Sequence, residues 1–188
     1  MNHTIAQAEL LILEGELEQA GELLEAILQE EPDNLEAILF QGIVYAETRR
    51  EDRAIKALEY YLSREEGSAE AWEALGCAWF RKGDNERGRL FLEKALGYDG
   101  ESPSVLRNLG IIEEVLGNYE QSFRYLEKSN KADPLDYRTL YALGYSHLNR
   151  QEKERAAEYF SSLLTLSIPD EMRKEVLLLT LKMQLGWL

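Results

Sequence analysis

The sequence predicts an all-α solenoid of five antiparallel helix pairs followed by one closing helix. Three columns of similar residues recur with a period of 34 residues, which is the length of one helix pair. The first column is small: Ala8, Gly42, Gly76, Gly110 and Gly144. The second column is also small: Ala20, Ala54, Gly88, Ser122 and Ala156. The third column is large and apolar: Leu24, Leu58, Leu92, Leu126 and Phe160. Because three columns keep one period through five copies, chance is a poor explanation.

Each unit contains two helical stretches joined by a short turn. Trp72, Leu75 and Trp79 lie at helical spacing in the first stretch of the third unit. Gly83 is placed to adopt a positive φ between the stretches, and Asp84 or Asn85 is placed to cap the second one. Gly15 and Gly117 occupy the same place in the first and fourth units. The small columns are expected where two helix axes cross closely.

The period divides the chain into repeats at 1–34, 35–68, 69–102, 103–136 and 137–170, with a capping helix at 171–188, in a single domain. Pro32 and Pro134 mark the ends of two units, where the second helix must stop. The last helix carries two apolar stripes. One stripe, containing Val176, Leu179 and Met183, suffices for a cap. The other either reaches deeper into the fifth unit or mediates self-association, through Leu177, Leu181, Leu185 and Leu188.

These repeats resemble the tetratricopeptide repeat (TPR) family over residues 1 to about 170. The third unit shows the family pattern best, from Trp72 through Leu75-Gly76 to Trp79, followed by Gly88, Leu92 and Ala95. The fourth unit departs from it, because Glu113 stands at the usual aromatic position. The resemblance implies a right-handed superhelix and a role in protein–protein interaction, although a fold alone does not specify a function.

The resemblance also implies that the first helix of every unit lines a concave groove. The groove-facing positions of the family correspond to these residues: Leu39, Phe40, Ile43, Glu73, Cys77, Phe80, Arg107, Asn108, Ile111, Arg138, Tyr141, Tyr145 and Leu148. The presence of apolar residues at these groove-facing positions has two explanations. Either the array shields them by itself, or they receive an apolar or amphipathic segment of another protein.

The charge distribution bears on the class of partner. The net charge of −14 argues against nucleic acid, whose phosphates require Lys and Arg. Residues 1–34 contain nine acidic residues and no Lys or Arg. This acidic end is either a solvated face or a surface that steers a basic partner or another copy of the chain.

No constellation of catalytic or metal-binding residues is evident, so the sequence predicts neither an enzyme nor a cofactor or metal. His147 takes an aromatic position in the fifth unit, where a packed imidazole is expected. The lone Cys77 cannot form an internal disulfide. No leader or apolar run long enough for membrane insertion is evident, which favours a cytoplasmic location.

The sequence therefore predicts a non-enzymatic scaffold or adaptor that binds a peptide or helix of a partner in its concave groove. The alternative is a bacterial secretion-type TPR chaperone that shields an aggregation-prone client. A client that is insoluble alone would favour the chaperone, and a partner that folds by itself would favour the scaffold.

Overall fold

The computed structural model describes residues 4–187, and it contains eleven α-helices and no strand within that range. The helices form two compact units, one ending at Gly100 and the other beginning at Glu101. The first unit contains α1 (Ile5–Leu13), α2 (Leu17–Glu30), α3 (Leu35–Glu47), α4 (Glu51–Leu62), α5 (Ala69–Arg81) and α6 (Asn85–Tyr98). The second contains α7 (Pro103–Val115), α8 (Tyr119–Ala132), α9 (Tyr137–Asn149), α10 (Lys153–Leu164) and α11 (Asp170–Gln184). The predicted all-α class is confirmed, and the single domain stays a prediction.

The turn between the two helices of each pair uses one backbone conformation throughout. The positive φ predicted for glycine is confirmed at Gly15 (81°), Gly83 (94°) and Gly117 (81°). Arg49 (57°) and Gln151 (64°) hold the corresponding positions in the other two pairs. A side chain with a Cβ adopts this conformation at a cost of about 1 kcal/mol. The repeat therefore imposes the turn even where the sequence lacks glycine.

Asp84 is the residue that caps α6. Its side-chain oxygen Oδ1 accepts a hydrogen bond from the backbone N–H of Arg87 at 3.0 Å. The choice between Asp84 and Asn85 is thereby resolved, because Asn85 is the first residue of the helix. This bond satisfies one of the backbone donors that a helix start leaves unpaired.

The small-residue column marks the closest approach between the two helices of a pair. At Gly76, an added Cβ would lie 2.8 Å from Cγ of Leu92, 3.0 Å from the backbone nitrogen of Leu92 and 3.0 Å from the backbone oxygen of Gly88. Leu92 itself is fully buried, as are its counterparts in the other pairs. The expectation that the glycines allow close helix crossing is confirmed.

The first helix of each pair lies on the inner side of its unit. In the first unit the backbones of α1 and α3, and of α3 and α5, approach within 8 Å, and α7 and α9 do so in the second. Among the described residues, α2, α4 and α6 make no such approach to one another, nor does α8 to α10. Within each unit, helices that converge on one side and diverge on the other form a curved wall, with α1, α3 and α5 inside in the first unit and α7 and α9 inside in the second.

Helix α11 packs against the fifth pair through one of its two stripes. Val176 is buried in a cluster with Phe160 and Leu163, and Leu179 and Met183 pack against that cluster. The helix ends at Gln184, earlier than the predicted range of 171–188, and Gly186 has a φ of 70°. Nowhere in residues 4–187 does a helix combine the length and apolar character needed to cross a membrane.

Candidate partner-binding surface

The inner wall of the first unit presents a group of apolar side chains that the packing leaves partly accessible. Phe40 and Ile43 on α3, and Cys77 and Phe80 on α5, are all half-buried. Phe40 also packs against the core cluster built around Leu24. All four side chains keep part of their surface accessible, and we refer to them together as the apolar group of the first unit.

Leu39 differs from its neighbours in this group. It is only 7% exposed, because α3 contacts α1, α2, α4 and α5 and therefore has little free surface. Leu39 therefore belongs to the core, in contrast to its expected groove-facing position. Glu73, on the following inner helix, is half-buried.

The charged groups on this wall are mainly acidic. Arg81 donates to the backbone oxygen of Ala46 and, at 3.1 Å, to Oε1 of Glu47, so its charge is matched within the wall. Burial, and secondly the charge of Glu9, raise the pKa of the Glu70 carboxyl above its ordinary value. Glu9 lies on α1 and Glu70 on α5, the first and last inner helices of this unit. Their carboxylates are close enough to repel each other.

In the second unit, Arg107 forms an internal ion pair. Its Nη1 lies 2.7 Å from Oδ2 of Asp136, and both side chains are largely buried. Burial raises the pKa of Asp136, but hydrogen bonds from Thr139 and Arg107 and the Arg107 charge outweigh it, so this pKa lies below its ordinary value. The pair links α7 to the start of α9, so Arg107 stabilises the unit in addition to any role in binding.

Three further predicted residues of the second unit have different degrees of exposure. Asn108 and Ile111 on α7 are half-buried, whereas Arg138 on α9 is exposed. The guanidinium Nε of Arg138 donates to the hydroxyl of Tyr137 at 3.3 Å. Of the three, Ile111 supplies the apolar surface on this part of the wall.

Helix α11 covers part of the aromatic surface on α9. Tyr141 and Tyr145 are half-buried neighbours with ring centroids 4.8 Å apart, and both pack with Leu148 against the cluster that contains Val176 of α11. The Tyr145 hydroxyl donates to Oε1 of Glu175 at 2.6 Å. Burial, and then the hydrogen bond to Glu175, raise the pKa of Tyr145. Helix α11 therefore shields part of these side chains, which is one of the two explanations considered for the apolar residues at groove-facing positions.

The second stripe of α11 is exposed. Leu177, Leu181 and Leu185 have exposed fractions of 52%, 48% and 51%. Leu188 lies outside the described residues. Leu178 and Trp187 are exposed as well, and neither was included in the predicted stripe. Trp187 follows the end of the helix, so helical periodicity could not identify it.

A cleft of about 460 Å³ between α8 and α10 was not anticipated from the sequence. Its lining includes Phe123, Asn130, Arg155 and Tyr159. The cleft lies on the outer side, where the even-numbered helices diverge. Its lining combines residues of the fourth and fifth pairs, including Leu140 and His147 of α9, so the cleft depends on how the pairs stack.

His147 borders this cleft and is packed as expected. Its ring stacks on Tyr159 with centroids 5.3 Å apart, and its Nδ1 lies 2.7 Å from Oε2 of Glu152. The hydrogen bond with His147 is the main cause of a lowered pKa at Glu152. In the part of the chain that the structure describes, no group of three or more His, Cys, Asp or Glu residues is placed to hold a metal ion.

The chain is similar to curated proteins that are much longer than itself. It is 24% identical over 160 residues to the BBSome complex member BBS4 of Bos taurus, a match that covers 85% of this chain and 31% of that protein. It is also 24% identical over 162 residues to the peroxisomal targeting signal receptor of Kluyveromyces lactis, covering 84% of this chain and 28% of the receptor. The chain therefore spans less than a third of either relative.

A solved structure and two family models identify the repeat. The thermophilic TPR protein TTC0263 of Thermus thermophilus superimposes with a TM-score of 0.82 at 16% identity, covering 94% of this chain and 97% of that one. This likeness confirms the solenoid fold and says nothing further about function. Two tetratricopeptide repeat models match residues 11–76 and 107–171. Such repeats support protein–protein interaction in general, and the scaffolds built from them are generally non-catalytic. The chain belongs to the tetratricopeptide repeat family.

Proposed function

We propose that this chain is a non-enzymatic scaffold whose inner helices bind a peptide or helix of a partner protein. The observation that carries the proposal is the half-buried apolar group Phe40, Ile43, Cys77 and Phe80 on the inner wall of the first unit. Aromatic residues that are fixed by packing and still accessible are the usual anchors of protein interfaces. They lose little conformational entropy when a partner covers them.

The two relatives are consistent with this proposal. One is a member of a complex and the other is a receptor for a targeting signal. Both associate with other molecules. For this chain, association through the inner helices and a cytoplasmic location are parts of the proposal.

In the second unit, we expect a smaller contribution to partner binding. Ile111 is half-buried and available, whereas α11 already covers part of Tyr141, Tyr145 and Leu148. A partner bound to the second unit would contact only the parts of Tyr141, Tyr145 and Leu148 that remain accessible. The first unit is therefore the better place to test the function.

Truncation of two anchors on the first unit should remove the partner. We expect the double variant Phe40→Ala/Phe80→Ala to bind its partner about 30-fold more weakly, because each anchor contributes roughly 1 kcal/mol. The measurement is affinity capture from native cell extract with identification by mass spectrometry. The control is Leu90→Ala/Tyr98→Ala, which truncates two exposed side chains of outer helix α6. Capture of the same proteins by the wild type and the Phe40/Phe80 variant would refute the assignment.

A second measurement covers the case in which the double variant is poorly folded. Cys77 is the chain's only cysteine, and it lies among the four residues of this surface. A bound partner should protect Cys77 of the unmutated protein from alkylation by a maleimide. Unchanged alkylation in the captured complex would place the partner elsewhere.

The chaperone remains the alternative function, and the same captured partner distinguishes it. A partner that is folded and soluble without this chain fits a scaffold. A partner that becomes soluble only on co-expression with this chain fits a chaperone for an aggregation-prone client.

The exposed stripe on α11 leads to a proposal of self-association. Light scattering after size exclusion should detect dimers at high micromolar concentration, because Leu177 and Leu181 would be buried between copies. Leu177→Gln/Leu181→Gln should weaken the dimer by at least about tenfold. Leu135→Gln changes a still more exposed leucine outside the stripe and should have no effect. A wild-type protein that stays monomeric at these concentrations would contradict self-association.

A further inference from the structure

The inner and outer helices of the first unit carry the same net charge, but the inner helices contain only one basic residue. Helices α1, α3 and α5 carry five acidic residues and one basic residue: Glu9, Glu36, Glu47, Glu70, Glu73 and Arg81. The outer helices α2, α4 and α6 hold all five of the unit's other helical Lys and Arg residues: Arg53, Lys56, Arg87, Arg89 and Lys94. From residue 4 to residue 48 the chain has no Lys or Arg at all.

The single basic residue on this wall is already neutralised. Arg81 is bonded to Glu47 and to the backbone oxygen of Ala46, so it offers little attraction to an acidic ligand. Glu9 and Glu70, by contrast, form no ion pair within residues 4–187. Both residues have exposed surface, and partial burial of the Glu70 carboxyl, followed by the charge of Glu9, raises the pKa of Glu70. A cation placed near them would relieve this repulsion.

We propose that the inner wall of the first unit selects a segment of another protein that combines apolar anchors with Lys or Arg, as in a basic amphipathic helix. This inference rests on the proposed function and adds the chemistry of the partner. The apolar anchors would contact Phe40 and Phe80, and the basic side chains would face the carboxylates of Glu9 and Glu70. A binding mode of this kind uses apolar burial for affinity and charge for selectivity.

The inner wall of the second unit lacks this arrangement. Arg107 pairs with Asp136, and Arg138 is an exposed base on α9. Helix α9 has no acidic residue, and Glu114 of α7 accepts hydrogen bonds from Ser122 and Asn149. The preference for a basic segment is therefore a property of the first unit, and variants can test it there.

Selection from a displayed library tests the inference. The library contains amphipathic helices in which the polar positions vary between Lys and Glu and the apolar positions vary among Leu, Phe and Ala. It is selected on the full chain, and a helix with the sequence of residues 170–184 is included. We expect recovered helices to be rich in Lys and to bind about tenfold more weakly to Glu9→Gln/Glu70→Gln, since two exposed ion pairs are lost. Added salt should weaken their binding to the wild type.

The matched control variant is Glu59→Gln/Glu93→Gln. It removes the same charge from two exposed positions on the outer helices α4 and α6 and should leave binding unchanged. Equal loss in both double variants would mean that net charge alone governs binding, which would overturn the inference. Recovery of the 170–184 helix as the dominant ligand would make a second copy the occupant and would also overturn it.

Failure of this inference is distinguishable from failure of the proposed function. Helices recovered without charge preference that are lost on Phe40→Ala/Phe80→Ala would overturn the basic partner and leave the scaffold intact. Failure to recover any helix that distinguishes the wild type from Phe40→Ala/Phe80→Ala would overturn both. Enrichment of Lys, with weaker binding to both Glu9→Gln/Glu70→Gln and Phe40→Ala/Phe80→Ala and unchanged binding to Glu59→Gln/Glu93→Gln, would support both.

Discussion

Replacement of Phe160 by alanine should lower the free energy of unfolding of the second unit by about 4 kcal/mol. Phe160 has an exposed fraction of 0%, and its ring meets Tyr145 edge-on with centroids 5.7 Å apart. The ring also lies over Gly144, within the space that a Cβ there would need. Truncation therefore removes buried apolar surface and leaves a cavity between α9, α10 and α11 that backbone shifts cannot fill completely. Urea denaturation followed by circular dichroism measures the change.

Two further variants make this result specific. Phe160→Leu should cost only about 1 kcal/mol, because leucine occupies the equivalent position in the other four pairs. Tyr119→Ala removes an exposed ring on α8 and should change stability by no more than about 0.5 kcal/mol. An effect of Phe160→Ala as small as that of Tyr119→Ala would contradict the packing described for this core.

The helix pairs could be predicted from the sequence because their determinants are local and repeated. Gly76 and Leu92 pack against each other and lie 16 positions apart. Because this spacing is the same in every pair, the 34-residue period reveals both the small and the large column. The turn could have been predicted more fully than it was. Arg49 and Gln151 lie at the same 34-residue spacing as Gly83, and the spacing alone identifies their left-handed conformation.

Other features depend on contacts that no periodic pattern encodes. The Arg107–Asp136 pair joins two repeats through side chains whose partner choice depends on the stacking. Glu113, which breaks the aromatic column, is buried and accepts a hydrogen bond from Asn118 at 2.6 Å. The sequence shows that Glu113 is a polar residue in an apolar column, but it does not show that Asn118 donates the hydrogen bond that satisfies the buried carboxylate.

The candidate site was predicted less completely than the fold. The positions on the inner helices follow from the repeat register. Phe40, Ile43, Cys77 and Phe80 are half-buried there, and their role in binding stays a prediction. Burial of Leu39, however, depends on the four helices that surround α3. The cover over Tyr145 depends on where α11 packs, which is set by the end of the array and by no repeated residue.

Gly76→Ala should destabilise the first unit by about 2 kcal/mol, although alanine is the better helix former. The added methyl would lie 3.0 Å from two backbone atoms of α6, those of Gly88 and Leu92, so rotating a side chain cannot relieve the contact. The axes of α5 and α6 would have to separate, which would loosen the buried contacts of Leu92. Urea denaturation of the full chain measures the midpoint and the free energy of unfolding.

Gly97→Ala is the matched variant, and its effect should have the opposite sign. Gly97 lies in the last turn of α6, and a Cβ there would have nothing within 4 Å. The same chemical change should then stabilise the protein by about 0.5 kcal/mol, because it reduces only the entropy of the unfolded chain. Since propensity favours alanine at both sites, a difference in sign isolates helix–helix contact as the cause. If Gly76→Ala were as stabilising as Gly97→Ala, the small column would not reflect close packing, and the curved wall on which the proposed partner binding depends would need another explanation.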